Sequence, residues 1–358
     1  MLRQFVLCVC AIFMVLSTLV CVSCKKDGSG GGKTPQDSGV TPTPSPTGGA
    51  SPGTDQPSAS GDATGESAAT TLACYLTTPQ MIKFVELPSG KSDPLKYVSL
   101  SGEPSPSDII VYKGFAWAVG GKKLHKINMS TKALETSKEL GHNLSGVTPD
   151  GDFLWLADNG GGTTETRPRI IRIAIATLEI DRTIEAGEVS DNYIDIAAES
   201  DGLWILIGNG FSIGHVKPSG EIRYAKIDDG KYGYGNIALD DSDIWVVNDY
   251  KNSLVRFKRS DLSKVSEQPV EAAEYSDMIS IGKRLYLTAY KKPQVYVVDK
   301  DPFKVTVTAL EDSATSMLAS EAQFYLTLYN KSRIAIYDTS DDKVTTAVDN
   351  FAVKRCAR

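Results

Sequence analysis

Seven positions along the chain could bring chemistry-bearing side chains together at a common spacing. Asp108, Gly146, Asp195, Asn236, Asp277, Ser316 and Asn350 follow one another at intervals of 38, 49, 41, 41, 39 and 34 residues. Several carboxylate and amide oxygens gathered at one place could hold Ca²⁺, or orient a polar ligand by hydrogen bonds. The same residue types also cap turns through their own backbone, so a purely structural role accounts for them equally. Gly146 and Ser316 interrupt the set, which counts against a Ca²⁺-dependent hydrolase, lactonase or lyase that must group its ligands closely to activate water. The three histidines, His125, His142 and His215, share no repeat position, so a symmetric histidine metal cluster is not expected. The sequence holds no P-loop and no H-E-x-x-H. Gly208-Asn209-Gly210 reads as a turn.

What could position the acids is a repeat. The stretch from Tyr234 to Leu262 runs through an apolar segment at Ile237–Leu239, a tight acidic turn, an aromatic-centred segment at Ile244–Val247, a loop and an apolar segment at Leu254–Phe257. That alternation of short apolar runs and turns is a β-meander. Its central aromatic recurs at Tyr75, Trp117, Trp155, Trp204, Trp245, Tyr286 and Tyr325, with gaps of 42, 38, 49, 41, 41 and 39 residues. A repeat of about 40 residues built from four short strands predicts an all-β, seven-bladed β-propeller, whose blades must stack to bury both faces. The acid and amide positions open the innermost strands and should ring one mouth of the central channel. The aromatics Tyr193, Tyr234, Tyr275, Phe211, Tyr250, Tyr290 and Tyr329 fall on the same face, either as a binding patch or as packing between blade tips. The long segment Asp158–Pro168, which includes Arg167, should project there as an added loop.

The first repeat lacks its opening strand. Asn350-Phe351-Ala352-Val353 matches Asn236-Ile237-Ala238-Leu239, so the last residues should supply it, giving a one-plus-three closure of the ring. Superposing the repeats places Cys356 where Ser242 stands and Cys74 where Ile244 stands, close enough for a disulfide.

The chain divides by composition. Residues 1–24 combine Arg3, an apolar run from Phe5 to Val20, and Val22-Ser23-Cys24. This segment resembles a bacterial lipoprotein signal, which implies that Cys24 is lipidated; an uncleaved transmembrane anchor is the alternative. Either tethers the protein to a membrane from outside the cytoplasm, where a disulfide persists. Residues 25–69 are Gly, Ser, Thr, Pro and Asp with hardly a large apolar side chain, a composition that cannot bury a core and forms a flexible linker. Its length gives a stalk of roughly 35 to 40 Å root-mean-square span. Residues 70–358 form the β-propeller. The net charge of −6 argues against nucleic acid as a partner.

The segments LYLTAYKKPQVYVVDKD from Leu285, FYLTLYNKSRIAIYDTS from Phe324 and IWVVNDYKNSLVRFKRS from Ile244 resemble the YVTN-type repeat of YncE-like propellers. The resemblance implies the seven-bladed architecture and carries no catalytic residue. The expectation is therefore a lipid-anchored protein of the cell envelope, on the outer membrane facing the periplasm or the cell surface. It should present a non-enzymatic binding face to an envelope or extracellular protein, to peptidoglycan or to a glycan. Asp108, Asp195, Asn236, Asp277, Asn350, Tyr234, Tyr250, Tyr290 and Arg167 are the expected contact residues.

Overall fold

The repeat around Trp245 shows how the sequence builds the rest. Ile237–Leu239, Asp243–Asn248, Ser253–Lys258 and Lys264–Pro269 (β14 to β17) form one antiparallel sheet in chain order. The second strand is buried at every position, whereas the fourth alternates between exposed and half-buried residues. Burial thus falls from the inner strands to the rim, as the density of β-branched and aromatic residues does. The acidic turn before the aromatic has a specific task. One Asp240 carboxylate oxygen accepts the Ser242 and Asp243 amides at 3.2 and 2.8 Å, and the other accepts the Trp245 indole N–H at 3.0 Å. Asp150 and Asp201 hold Trp155 and Trp204 in the same way. An indole donor buried without such a partner would be costly.

This computed structural model describes residues 70–87, 96–161, 167–185, 193–208, 211–227, 235–320 and 323–357. The expected signal, Cys24 and linker lie outside the described residues. So do Tyr234 and positions 162–166 of the added loop.

Among the described residues, twenty-six strands form five sheets of four strands and one of six. The four-stranded sheets comprise β10–β13 (Tyr193–Lys226), β14–β17, β18–β21 (Tyr275–Ala309), β22–β25 (Ala314–Val348), and Thr70–Thr77, Gln80–Leu87 and Tyr97–Ser99 (β1 to β3) joined by Arg355–Ala357 (β26). The sixth sheet runs through β4–β9 (Asp108–Glu185). Six sheets are therefore found where the repeat predicts seven. The cause is local. Phe115–Asn128 (β5) and Ala133–Asp150 (β6) pass without a break through residues that end strands in the other repeats. β5 nevertheless reverses. Lys126 Nζ sits 3.9 Å from the centre of the Phe115 ring, whereas an extended strand would separate residues 11 apart by about 35 Å. The reversal falls at Gly120-Gly121, where Gly121 has φ +52° and a Cβ on Gly120 would meet the Ser105 carbonyl at 2.6 Å.

The seven repeat aromatics are all buried. The apolar clusters lie between sheets, except one that lies within the six-stranded sheet. Trp204 and Phe211 pack on Ile237, Val246 and Phe257 of the next sheet, and Trp245 and Leu254 pack on Tyr275, Leu285 and Tyr296 of the one after. Each four-stranded sheet buries its faces through its neighbours.

The ring closes through the two ends of the described chain. β26 pairs with β1, placing Ala357 opposite Ala73, Cys356 opposite Cys74 and Arg355 opposite Tyr75. Cys74 and Cys356 form the expected disulfide, with 4.0 Å between their Cα atoms. The register differs from the expected one by three residues. Cys356 faces Cys74 as Leu239 faces Ile244, not from the place of Ser242. Phe351-Ala352-Val353 form no strand. Phe351 and Val353 are buried in a cluster with Leu72, Val85, Tyr325 and Ile334, and the Lys354 amide donates to the Tyr75 carbonyl. Asn350 holds a left-handed turn with φ 57° and is exposed, so it does not open an inner strand. Its similarity to Asn236-Ile237-Ala238 is one of residue type, and the Cys74 partner decides the register instead.

Candidate functional site at the channel mouth

Asp108, Asp195 and Asp277 stand at or near the start of three innermost strands, and each uses its carboxylate identically. One oxygen accepts the amide of the next residue: Ile109 at 2.8 Å, Ile196 at 2.9 Å and Met278 at 2.9 Å. The other accepts an amide from the neighbouring inner strand: Val147 at 3.0 Å, Ile237 at 3.2 Å and Met317 at 2.8 Å. Those three amides follow Gly146, Asn236 and Ser316, the positions that alternate with the three acids. The alternation is therefore a stapling pattern, in which every second inner strand lends its neighbour an acceptor. The turn-capping role is real and extends across strands.

Stapling does not exhaust these carboxylates, because all three share one cation. Arg355 Nη1 lies 3.2 Å from Asp108 Oδ1, and the charges of Asp277 and Asp195 and the Tyr75 phenol act on the same guanidinium. Its side chain keeps 40% of its surface accessible while that of Asp108 keeps 11%, as expected of a group projecting into a channel. Asp108 and the other carboxylates hold Arg355 firmly protonated. Burial pushes Asp195 up to about 7, against the pull of Arg355 and the Ile237 amide, with Asp277 adding to the rise. Burial likewise raises Asp277, and Arg355 opposes it. Three carboxylates around one guanidinium leave the mouth with surplus negative charge, which proton uptake relieves.

Beside this cluster, burial pushes Asp249 up to about 6, opposed by the Tyr275 amide that it accepts at 3.2 Å and reinforced by Glu274. Tyr290 reaches the field of Asp277 and Arg355 and leaves 51% of its surface to solvent. Tyr250 and Tyr329 occupy the same place in the adjoining sheets and are 76% and 39% exposed. The aromatics of this face thus divide. Tyr275 and Phe211 are buried in the cores between sheets, as packing requires, and the three loop tyrosines are not.

Of the expected contact residues, Asp108 pairs directly with Arg355, and Asp195, Asp277 and Tyr290 lie within its electrostatic field. Asn236 takes part through backbone: its Nδ2 donates to the Ser276 carbonyl at 3.3 Å, and its buried Oδ1 has no partner. Asn350 is displaced with the register. Arg167 is exposed where the added loop rejoins the described residues. The side chain of Tyr193 lies outside the described residues.

Sequence reasoning missed two residues. Arg355 was hidden by the three-residue register error, although a charged residue next to a bridged cysteine on an inner strand was the available signal. Asp158 is fully buried and accepts the His142, Asn143 and Gly160 amides and Arg169 Nε, so it fixes the base of the added loop. Its repeat equivalent, Asn248, caps Tyr250 and Lys251 in the same manner.

Among the described residues, no group of three or more His, Cys, Asp or Glu side chains is placed to hold a metal ion. Gly210-Phe211-Ser212-Ile213-Gly214 has the G-x-S-x-G letters of a nucleophile elbow, but Ser212 and Ile213 lie in strand Ser212–Val216 (β12), paired on both sides. An elbow needs a strand-to-helix turn, which this segment does not make.

No family model matches the sequence, and no curated protein does. Solved structures do. A catalytically inactive variant of virginiamycin B lyase from Staphylococcus aureus, with quinupristin, is 17% identical with a TM-score of 0.59 over 78% of this chain and 88% of that one. Apo AztD from Citrobacter koseri is 11% identical with a TM-score of 0.53, covering 80% and 85% of the two chains. BamB from Moraxella catarrhalis is 11% identical with a TM-score of 0.52, covering 74% and 75%. The chain is a β-propeller. At these identities the likeness is one of fold, and propellers host unrelated functions on one scaffold.

Proposed function

We infer that this propeller is a non-enzymatic binding module, exported and held to a membrane by a lipid on Cys24, which presents its channel-mouth face to an envelope or extracellular protein. The observation that carries the reading is the exposure of Tyr250, Tyr290 and Tyr329 at one repeat position in three successive sheets, while the repeat's central aromatics are buried. Tyrosine covers contact area at small entropic cost, and an exposed arc of three adds nothing to the core. The disulfide supports an oxidising compartment, and the signal-like residues 1–24 and the linker-like residues 25–69 support a tethered domain. Peptidoglycan or another glycan is the alternative partner for a tyrosine-lined face.

The ring is best counted as seven wedges. Within the six-stranded sheet, Trp117, Val119 and Leu124 of β5 pack against Leu154, Leu156 and Ile171 of later strands, a core of the kind that elsewhere lies between two sheets. This favours two wedges joined by continuous strands.

The rival reading is a Ca²⁺-dependent enzyme at the same mouth, and the stapling hydrogen bonds weigh against it because both oxygens of each carboxylate already accept amides. The test is a variant carrying Tyr250→Ala, Tyr290→Ala and Tyr329→Ala. Partner capture from an envelope extract should be lost while the Tm stays within about 3 °C, as expected for exposed side chains. A large fall in Tm would return the tyrosines to a packing role.

A further inference from the structure

On the side of the ring where the inner strands end, a recess of about 910 Å³ lies between the sheet β10–β13 and the sheet β14–β17. Its lining includes Lys217, Arg223, Arg256, Lys258 and Arg259, set against Glu199, Asp201, Asp241 and Asp243. Most of these charges are answered. Arg259 meets Glu199 and Asp201, Arg256 meets Asp243, and Lys217 turns to Glu221.

Arg223 is held differently, and His215 explains how. The His215 ring stacks on Trp204, with centroids 4.0 Å apart and planes within 8°. Its Nε2 lies 3.2 Å from the Asp201 carbonyl oxygen, which can only accept, so Nε2 carries the proton. Nδ1 is then a free acceptor, and it takes a hydrogen from Arg223 Nη2 at 3.2 Å. Burial lowers the pKa of His215; the Asp201 carboxylate, 3.7 Å from Nε2, opposes that and the Arg223 guanidinium adds to it, and the net direction favours the neutral ring. The other guanidinium contact, Nη1 to the Ser260 carbonyl at 3.1 Å, is neutral too, and the buried Nε has no partner. Among the described residues no carboxylate lies within ion-pair distance of Arg223 or of the exposed Lys258. A guanidinium oriented by two neutral acceptors keeps its full charge and, with Nε buried, one N–H on each of Nη1 and Nη2 for something else.

We propose that this recess binds a small oxyanion-bearing molecule, a carboxylate or a phosphate monoester, with Arg223 as the recognising fork and Lys258 as a second cation. Planar guanidinium groups pair two oxygens of either anion at once, which a point-charge ammonium cannot. Arg256 and Arg259 complete the positive wall but are already engaged, and Asp241 on the opposite turn limits the net charge the ligand can carry. The recess is remote from the channel mouth, so the proposal stands independently of the partner-binding face.

Calorimetric titration of the full-length protein with inorganic phosphate, and separately with succinate, at low ionic strength tests it. Saturable binding of at least one anion in the millimolar range or tighter is expected, weakened about tenfold by Arg223→Gln and unchanged by Arg333→Gln in a distant sheet. Which anion binds distinguishes the two oxyanion classes. Should Arg223→Gln fail to fold, Lys258→Gln, at an exposed position without an ion pair, carries the test with an expected weakening of about threefold. No saturable binding of either anion, or binding that Arg223→Gln and Lys258→Gln leave intact, overturns the proposal.

Discussion

Replacing Arg355 by methionine should destabilise the protein in a strongly pH-dependent way. The substitution keeps the unbranched stem of the side chain and removes the cation on which Asp108, Asp195 and Asp277 act. At 3.2 Å and an effective dielectric constant of about 20, the Asp108 pair alone is worth about 5 kcal/mol before desolvation. Because 40% of the Arg355 side chain remains accessible, most of that is screened or repaid, and the net cost falls between the exposed and buried extremes, at about 2 kcal/mol near pH 8. For a domain of this size that is about 3 °C in Tm.

The sign of the pH dependence follows from the carboxylates. A carboxyl whose folded pKa lies above its unfolded value stabilises the fold while protonated, and that contribution is lost as pH rises through the folded pKa. Asp195 and Asp277 are already raised, and removal of Arg355 raises them further, so the variant loses more stability than the native protein between pH 5 and pH 8. The assay is thermal unfolding of both proteins at pH 5 and pH 8. The difference in Tm should shrink by half or more at pH 5. An equal difference at both pH values would refute the shared-cation account and leave Arg355 as a packing residue.

Other expectations follow from the same framework. The native protein should itself be more stable at pH 5 than at pH 7.5, because Asp195 and Asp249, pushed to about 7 and about 6, hold protons in the fold that the unfolded chain releases; melting curves across that window check the direction. Reducing the Cys74–Cys356 bridge should cost about 2 to 4 kcal/mol, with a lower melting midpoint under reductant than without it, and hydrogen exchange should rise first in the paired strands β1 and β26. Trp245→Ala should cost about 3 to 5 kcal/mol by opening a cavity between two sheets, whereas Asp240→Ala, which strands the indole donor and two turn amides, should cost about 1 to 3 kcal/mol; denaturant titration measures both.

The repeat was readable because its physical constraints are local. Each wedge needs a large aromatic at its centre, and in three of them an acid satisfies its indole, so Trp155, Trp204 and Trp245 announce themselves with Asp150, Asp201 and Asp240. The closure was readable through Cys74 and Cys356, which had no other partner in the fold. Its register was not, because Asn350-Phe351-Ala352 imitates an inner strand by residue type while pairing and burial favour Arg355–Ala357. That slip concealed Arg355 and with it the cation that unites the acid positions. The sheet count also escaped the pattern. Continuous strands through Gly120-Gly121 and Gly141 depend on backbone conformation that spacing does not encode. Tyrosines before an inner strand and tyrosines after an aromatic strand look alike in sequence whether they pack or project, and the fold separates buried Tyr275 from exposed Tyr250.

The central functional claim is that the channel-mouth face, and not another surface, meets the partner. Photo-crosslinking amino acids placed singly at Tyr250, Tyr290 and Tyr329, and at the exposed Tyr97 and Tyr224 elsewhere, test it in cells that make the full chain. A shared crosslinked species at the three loop positions and none at the other two is the expected result. Labelling confined to Tyr97 or Tyr224, or equal at all five, would contradict it.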